Sequence, residues 1–270
     1  MTPTGTNFLD DMAKRSATRA HAAMAAVPLD PMRARALAAP PPKPLVLDRF
    51  DLIAEVKRSS PSQGSLASAD VDVVAQARSY SDAGAAMISV LTEPARFGGS
   101  LEDLRAIADA VDVPVMRKDF LVEPYQVFEA RANGASAVLL IARILGDESL
   151  ARMLDACVEA GLTVLLEAFD AEDLDRSAQA ISKHPGVLLG LNCRDLATLQ
   201  EDVNRFASLA EAFPDGVVRI AESGIATADN AQAVARLGYG GALVGTALMR
   251  SSDSGRLARE MIEAGRVARA

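Results

Sequence analysis

The chain has 270 residues, half of them hydrophobic, and a formal net charge of −8. That length and apolar content support one large core, and one barrel-sized domain can occupy all of it. The acidic balance argues against a nucleic-acid partner, no apolar run is long enough to span a bilayer, and Met1 to Ala20 lacks a signal-peptide core, so a cytoplasmic location is expected.

Phe8, Leu9 and Met12 form the apolar stripe of one amphipathic helix running to about Ala26. Pro40-Pro41-Pro42-Lys43-Pro44 reads as a stiff, extended linker. Residues 1–46 are therefore expected to form an N-terminal extension packed on a main domain of residues 47–270, being too short to hold a core of their own. From Leu45 onward a unit repeats: a short apolar run, a loop, an amphipathic helix, then a turn. Strands are expected at Leu52–Lys57, Met87–Leu91, Val113–Arg117, Ala137–Ile141, Thr163–Glu167, Val187–Leu191, Val217–Ala221 and Gly241–Val244. Between them, Leu101, Leu104, Ile107 and Val111 follow helical spacing, with Ser100 and Asp103 resembling a capping box. Leu150, Met153, Leu154, Cys157 and Val158 do the same, with Gly161 as the stop. Thr227 is the expected N-cap of a helix ending at Gly238.

The strands are apolar on both faces, as in a parallel sheet covered by helices. Eight such units, spaced by roughly 20 to 35 residues, fit an α/β fold of the (β/α)8 TIM-barrel type with an N-terminal helical extension. An open doubly wound sheet is the alternative. It would normally show fewer units, often with a glycine-rich first loop. No G-x-G-x-x-G or Walker A pattern occurs, so neither a dinucleotide nor a nucleoside triphosphate is indicated.

Cys157 and Cys193, with His21 and His184, are too few and too scattered for a disulfide framework, a metal centre or a histidine triad. No metal or cofactor is expected. His184, in a turn-like stretch, and His21, on a helix surface, are expected in solvent. Cys157 reads as core packing and Cys193 as passive.

The chemistry is carried elsewhere. Side chains alternate along a strand, so Ile53, Glu55 and Lys57 share one face. An acid and a base thus sit together at the carboxyl end of an apolar run. Alone they read as a salt bridge. Comparable residues recur at later strand ends: Lys118 with Asp119 and Phe120, Glu167, Asn192-Cys193-Arg194-Asp195, and Glu222-Ser223. Singly, Lys118 and Glu167 read as solvated rim residues and Arg194 with Asp195 as a local ion pair. In a barrel of this kind they converge on one mouth, where catalytic groups are found. Phe97-Gly98-Gly99 reads as a turn or as a mobile loop over that mouth. Glu222-Ser223-Gly224 and Val244-Gly245-Thr246-Ala247 place small residues after strands seven and eight, where such barrels often bind phosphate. Gly224, Gly245 and Thr246, with the hydroxyl of Ser60, are candidate phosphate ligands, which points to a small phosphorylated substrate.

Ile53-Ala54-Glu55-Val56-Lys57-Arg58-Ser59-Ser60-Pro61-Ser62 closely resembles the first-strand signature of the indole-3-glycerol-phosphate synthase family. The resemblance continues in order through Ser89-Val90-Leu91-Thr92, Phe97-Gly98-Gly99-Ser100-Leu101, Arg117-Lys118-Asp119-Phe120, Leu166-Glu167, Asn192-Cys193-Arg194-Asp195-Leu196, Ala221-Glu222-Ser223-Gly224-Ile225 and Leu243-Val244-Gly245-Thr246-Ala247-Leu248-Met249. It implies a carboxy-lyase of tryptophan biosynthesis. The substrate would be 1-(2-carboxyphenylamino)-1-deoxyribulose 5-phosphate, closed to indole-3-glycerol phosphate with loss of carbon dioxide and water and without cofactor or metal. Contact with other tryptophan-pathway enzymes is a further expectation.

By the same resemblance Lys118 is the general acid, near the substrate-binding Phe120, and Glu167 with Lys57 serves the second proton transfer. Glu55 orients Lys57. Lys57 and Arg194 are candidates for the substrate carboxylate, and Asn192, Glu222 and Ser223 for the ribulose hydroxyls and the anilino nitrogen. Two residues depart from the family pattern: Cys193 in the usual Asn-Asn-Arg signature, and Phe169 where a histidine is common. In the family the N-terminal extension helps close the site over the anthranilate ring. Residues 1–46 match it poorly, with Phe8 as the equivalent apolar contact.

The competing readings are a divergent paralogue serving specialised metabolism, a phosphoribosylanthranilate isomerase, and a catalytically silent phosphate-binding barrel. The isomerase needs a Cys/Asp pair, for which Cys193 after strand six is badly placed. A silent barrel would be expected to lose its charged mouth residues, since buried unpaired charges cost stability.

Overall fold

Eight parallel strands close into a barrel: β1 Asp51–Val56, β2 Met87–Leu91, β3 Val115–Lys118, β4 Ala137–Ile141, β5 Thr163–Ala168, β6 Leu188–Asn192, β7 Arg219–Glu222 and β8 Gly241–Val244. Each pairs with its neighbour in the chain, and β8 closes the ring against β1. The computed structural model describes residues 8–60, 64–65, 72–184, 186–194 and 200–269, the pairs 59–60 and 64–65 as backbone only. Those two pairs form a short antiparallel ribbon after β1.

Period-two alternation sorts the strand side chains. Ile53, Met87, Met116, Leu139, Leu165 and Leu243 belong to one buried cluster inside the barrel. Leu52, Ala54, Ile88, Val90, Val138 and Leu140 belong to a second, under the helices. Several strands sit further toward the mouth than their apolar runs suggest. Val113, Val187 and Val217 precede their strands, whereas Lys118, Asn192 and Glu222 lie within theirs. Ladder hydrogen bonds use the backbone, so a polar side chain does not end the pairing: Leu91 is opposite Lys118, and Asn192 is opposite Glu222. Lys57 lies one residue past the end of β1.

Helices follow the expected caps. Ser100 Oγ accepts the Asp103 N–H at 3.0 Å, Thr227 and Asn230 cap each other's backbone, and Gly161 ends the helix Asp147–Ala160 at φ 69°. The expected stripe is one residue too wide: Leu150, Met153, Leu154 and Cys157 are buried, but Val158 is 66% exposed. Val158 lies about 40° around the helix past Leu154, beyond the edge of the stripe. Among the described residues the sixth crossover has only the helical turn Arg205–Ser208 and the 3-10 turn Ala210–Ala212. Aromatic packing fills that sector, with the Tyr239 ring 5.5 Å from that of Phe206 and 5.6 Å from that of Phe213. His184, expected in solvent, is largely covered, with Nδ1 3.1 Å from the Ala180 carbonyl oxygen and Nε2 3.0 Å from Asp155 Oδ1.

The N-terminal segment holds two helices where one was expected: α1 Phe8–Ala26 and α2 Leu29–Ala38. Pro31 falls in the first turn of α2, where a missing N–H removes no intrahelical bond. Met32 and Ala36, four residues apart, are its buried face. Leu9 and Met12 of α1 join the inward-facing cluster at the mouth. Gln126 Nε2 donates to Ser16 Oγ at 2.8 Å, with both residues buried.

Candidate active site

The carboxyl ends of the strands bring charged side chains to a common floor. Lys57 Nζ lies 2.6 Å from Glu55 Oε1. Lys118 Nζ stands 3.8 Å from Glu55 Oε2, 3.7 Å from Glu167 Oε2 and 3.7 Å from Glu222 Oε2. These are ion-pair separations, longer than a direct hydrogen bond. Glu167 Oε2 and both carboxyl oxygens of Glu222 are buried without a hydrogen-bond partner. Each such orphan costs about 1–3 kcal/mol, and natural proteins concentrate costs of this kind at functional sites. Among the described residues no group of three or more His, Cys, Asp or Glu side chains is arranged to hold a metal ion. Here the Lys118 ammonium is the cation at the centre of the carboxylates.

Burial and charge pull these groups in opposite directions. Burial alone would push the Glu55 carboxyl up, but Lys57, Lys118 and Arg194 outweigh it and hold the group below its ordinary value. Burial disfavours the Lys118 ammonium, yet Glu167, Glu55 and Glu222 hold its pKa above the ordinary lysine value, so it stays charged. Burial, reinforced by the negative charge of Glu167, raises Glu222 well above an ordinary carboxyl, with Lys118 opposing. The floor thus combines a lysine held in its charged form with a carboxyl that gives up its proton less readily than an ordinary one.

Two glycines make room for these acids. A Cβ on Gly190 in β6 would lie 3.1 Å from Glu222 Cδ, and one on Gly245 would lie 2.9 Å from Glu55 Cδ.

Above the floor the walls differ. On one side the Phe8 and Phe120 rings meet edge to face at 6.0 Å, and the Phe97 ring lies 6.3 Å from Phe120. Phe97 ends the helical turn Pro94–Phe97, which Glu93 caps and Gly98 closes at φ 65°. On the other side Ser223 and Gly224 are both left-handed, at φ 67° and 70°. Ser223 is the only non-glycine residue with positive φ among the described residues. Its hydroxyl donates to Asn192 Oδ1 at 2.9 Å, and the Arg194 N–H donates to the same oxygen at 3.0 Å. With Oδ1 used twice, the amide N–H groups of Asn192 are left for other partners. The cavity between these walls has a volume of about 380 Å3, within the range of small-molecule sites.

Glu55, Lys57, Lys118, Glu167, Asn192 and Glu222 all line this cavity. So do Phe120, Arg194 and Ser223, and so do Gly224, Gly245 and Thr246. The side chain of Ser60 and all of Asp195 lie outside the described residues. Cys193 is buried beneath the site rather than lining it. Phe169 lines the cavity, with the Arg143 guanidinium 5.0 Å from its ring centre. Sequence reasoning missed Glu201, which lines the cavity and forms an ion pair with Arg194. It also missed Arg250, at the end of the short helix Thr246–Arg250. The only local hint of Glu201 is its place in an acidic pair with Asp202.

The chain is similar in sequence to known proteins. The family model described as indole-3-glycerol phosphate synthase matches residues 20–261. An indole-3-glycerol phosphate synthase of Mycobacterium avium is 44% identical over 89% of this chain and 88% of its own length. Those of Leifsonia xyli and Kineococcus radiotolerans are 45% and 48% identical, over 90% and 79% of this chain and 90% and 76% of their own lengths. Among solved structures, the 3-hexulose-6-phosphate synthase of Salmonella typhimurium superposes with a TM-score of 0.65 at 14% identity, covering 82% of this chain and all of that one. At that identity the likeness is one of fold alone. With the closed parallel barrel and a family match spanning most of its length, the chain belongs to the indole-3-glycerol phosphate synthase family.

Proposed function

We propose that this barrel converts 1-(2-carboxyphenylamino)-1-deoxyribulose 5-phosphate to indole-3-glycerol phosphate, releasing carbon dioxide and water. The observation that carries the assignment of roles is the position of Lys118, 3.7–3.8 Å from three carboxyl groups on the floor of an aromatic-walled cavity. The aryl ring suits the wall of Phe8, Phe97 and Phe120. Its carboxylate suits Arg194, whose planar fork matches a carboxylate, and Lys57. The phosphate suits the small residues Gly224, Gly245 and Thr246, with Ser60 as a further ligand, and the ribulose hydroxyls suit Asn192 and Ser223.

The ring carbon bearing the carboxylate bonds to the ketone carbon while the ketone oxygen takes a proton. Lys118, held charged by its three neighbours, supplies it. The bond from ring to carboxylate then breaks, its electron pair restores the aromatic ring, and carbon dioxide leaves. The new hydroxyl departs as water with a proton from Lys57, which Glu55 orients at 2.6 Å. Glu167 takes a proton from the neighbouring CH2 to complete the indole. Two protons are donated and one is accepted, matching the loss of one carboxylate charge as neutral carbon dioxide. Glu222, raised well above an ordinary carboxyl by burial and by Glu167, resists adding a third negative charge to the floor. The test is to supply the substrate and follow the rise of indole fluorescence. A protein that binds the substrate without turning it over would overturn this reading.

A further inference from the structure

Arg19 lies on α1, outside the described cavity lining, and reaches two buried acids on different strand-end loops. Its Nη2 lies 2.7 Å from Asp119 Oδ1 and its Nη1 3.5 Å from Glu93 Oε1. The two carboxylate side chains are 1% and 0% exposed, against 29% for Arg19. Each acid also fixes the backbone of one cavity phenylalanine: Asp119 Oδ1 accepts the Phe120 N–H at 2.8 Å, and Glu93 Oε2 accepts the Phe97 N–H at 3.2 Å. The third ring of that wall, Phe8, stands at the start of the helix that carries Arg19. One guanidinium therefore connects all three rings, Phe120 and Phe97 through one acid each and Phe8 through about three turns of α1.

We propose that Arg19 is a positioning residue. It pins α1 across the barrel mouth through Asp119 and Glu93, and so sets the Phe8–Phe120–Phe97 wall that receives the aryl ring of the substrate. The aryl assignment rests on the function proposed above; the pinning does not. Neither acid depends on Arg19 alone. Asp119 Oδ2 also accepts from Thr92 Oγ1 at 3.0 Å and faces Arg117 Nη2 at 3.4 Å. Glu93 also accepts the Ala95 N–H at 3.0 Å and the Arg96 N–H at 2.6 Å. Removing Arg19 therefore leaves the barrel its own satisfied network and loosens the helix, which Leu9, Met12 and the Ser16–Gln126 hydrogen bond still hold to the barrel. The planar fork is what spans two acids. A lysine offers one point charge and reaches one of them at a time.

The chain contains no tryptophan, so Phe8→Trp makes a single fluorescent reporter on the wall. In that background Arg19→Gln is expected to shift the emission to the red, toward that of a solvated indole, with Arg19→Lys intermediate. In the chain with Phe8 intact, Arg19→Gln is expected to raise KM about tenfold while kcat stays within about threefold, since it loosens binding rather than the proton transfers. The far-UV spectrum and urea midpoint of each variant check that the barrel is folded. An unchanged emission spectrum overturns the pinning. A red shift with unchanged KM overturns the positioning role. Absence of turnover in the parent chain overturns the function proposed above, and the emission spectrum then decides the pinning by itself.

Discussion

Lys118 Nζ stands 3.7 Å from Glu222 Oε2, and neither oxygen of that buried carboxyl has a hydrogen-bond partner. The other carboxylates keep the lysine charged, while burial, reinforced by the charge of Glu167, raises the acid well above an ordinary carboxyl. The pair thus sits at an ion-pair separation, longer than a direct hydrogen bond, in a confined space.

The raised pKa of Glu222 has a signed consequence for stability. Between the ordinary carboxyl pKa and its own raised value, the folded chain holds a proton that the unfolded chain has released. Stability from this group is therefore lost as pH rises through that window, at about 1.4 kcal/mol for each pH unit it spans, and is constant above it. Glu222→Gln cannot ionise. Urea midpoints measured from about pH 5 to pH 9 should show the variant gaining on the parent as pH rises. A stability difference that does not change with pH would contradict the assignment.

Gly190 tests the same geometry without replacing a titratable group. Its partner across the ladder is Glu167, and a Cβ there would lie 3.1 Å from Glu222 Cδ. Gly190→Ala should cost about 1–3 kcal/mol by overpacking and lower kcat at least about tenfold by displacing Glu222 from Lys118. Steady-state kinetics with a denaturation curve would check both. Unaltered kinetics would mean that the position of this carboxyl does not matter to turnover.

Arg194 has a pairing in the structure that a substrate carboxylate can replace. It forms an ion pair with Glu201, and both side chains line the cavity. Arg194→Gln removes a charge-assisted fork and should raise KM by about tenfold or more, with a smaller effect on kcat. Glu201→Gln removes only the competitor and should lower KM or leave it unchanged. A large rise in KM for Glu201→Gln would reverse these roles.

Much of this site is legible in the sequence because two simple periodicities act together. The alternation in Ile53-Ala54-Glu55-Val56-Lys57 puts Glu55 and Lys57 on one face, and the barrel turns that face inward. The repeat of strand and helix brings Lys118, Glu167, Asn192 and Glu222 to the same rim although they are far apart in the chain. Strand limits are less legible, since β3, β6 and β7 end in polar residues and an apolar run cannot reveal that pairing continues. The Arg19 contacts are not legible at all. They span 74 and 100 residues, and their partners are set by how α1 lies on the mouth. Glu201 is hidden for a similar reason: it meets Arg194 only because the backbone doubles back on itself in an isolated antiparallel bridge.

The most direct measurement mixes the purified protein with 1-(2-carboxyphenylamino)-1-deoxyribulose 5-phosphate and follows indole fluorescence against a chain that has no tryptophan of its own. Turnover by the parent, with kcat reduced about 10²–10⁴-fold in Lys118→Ala and in Glu167→Gln while both still bind the substrate, is the predicted result. Full activity in Lys118→Ala would contradict it, because the proton donated to the ketone would then come from elsewhere.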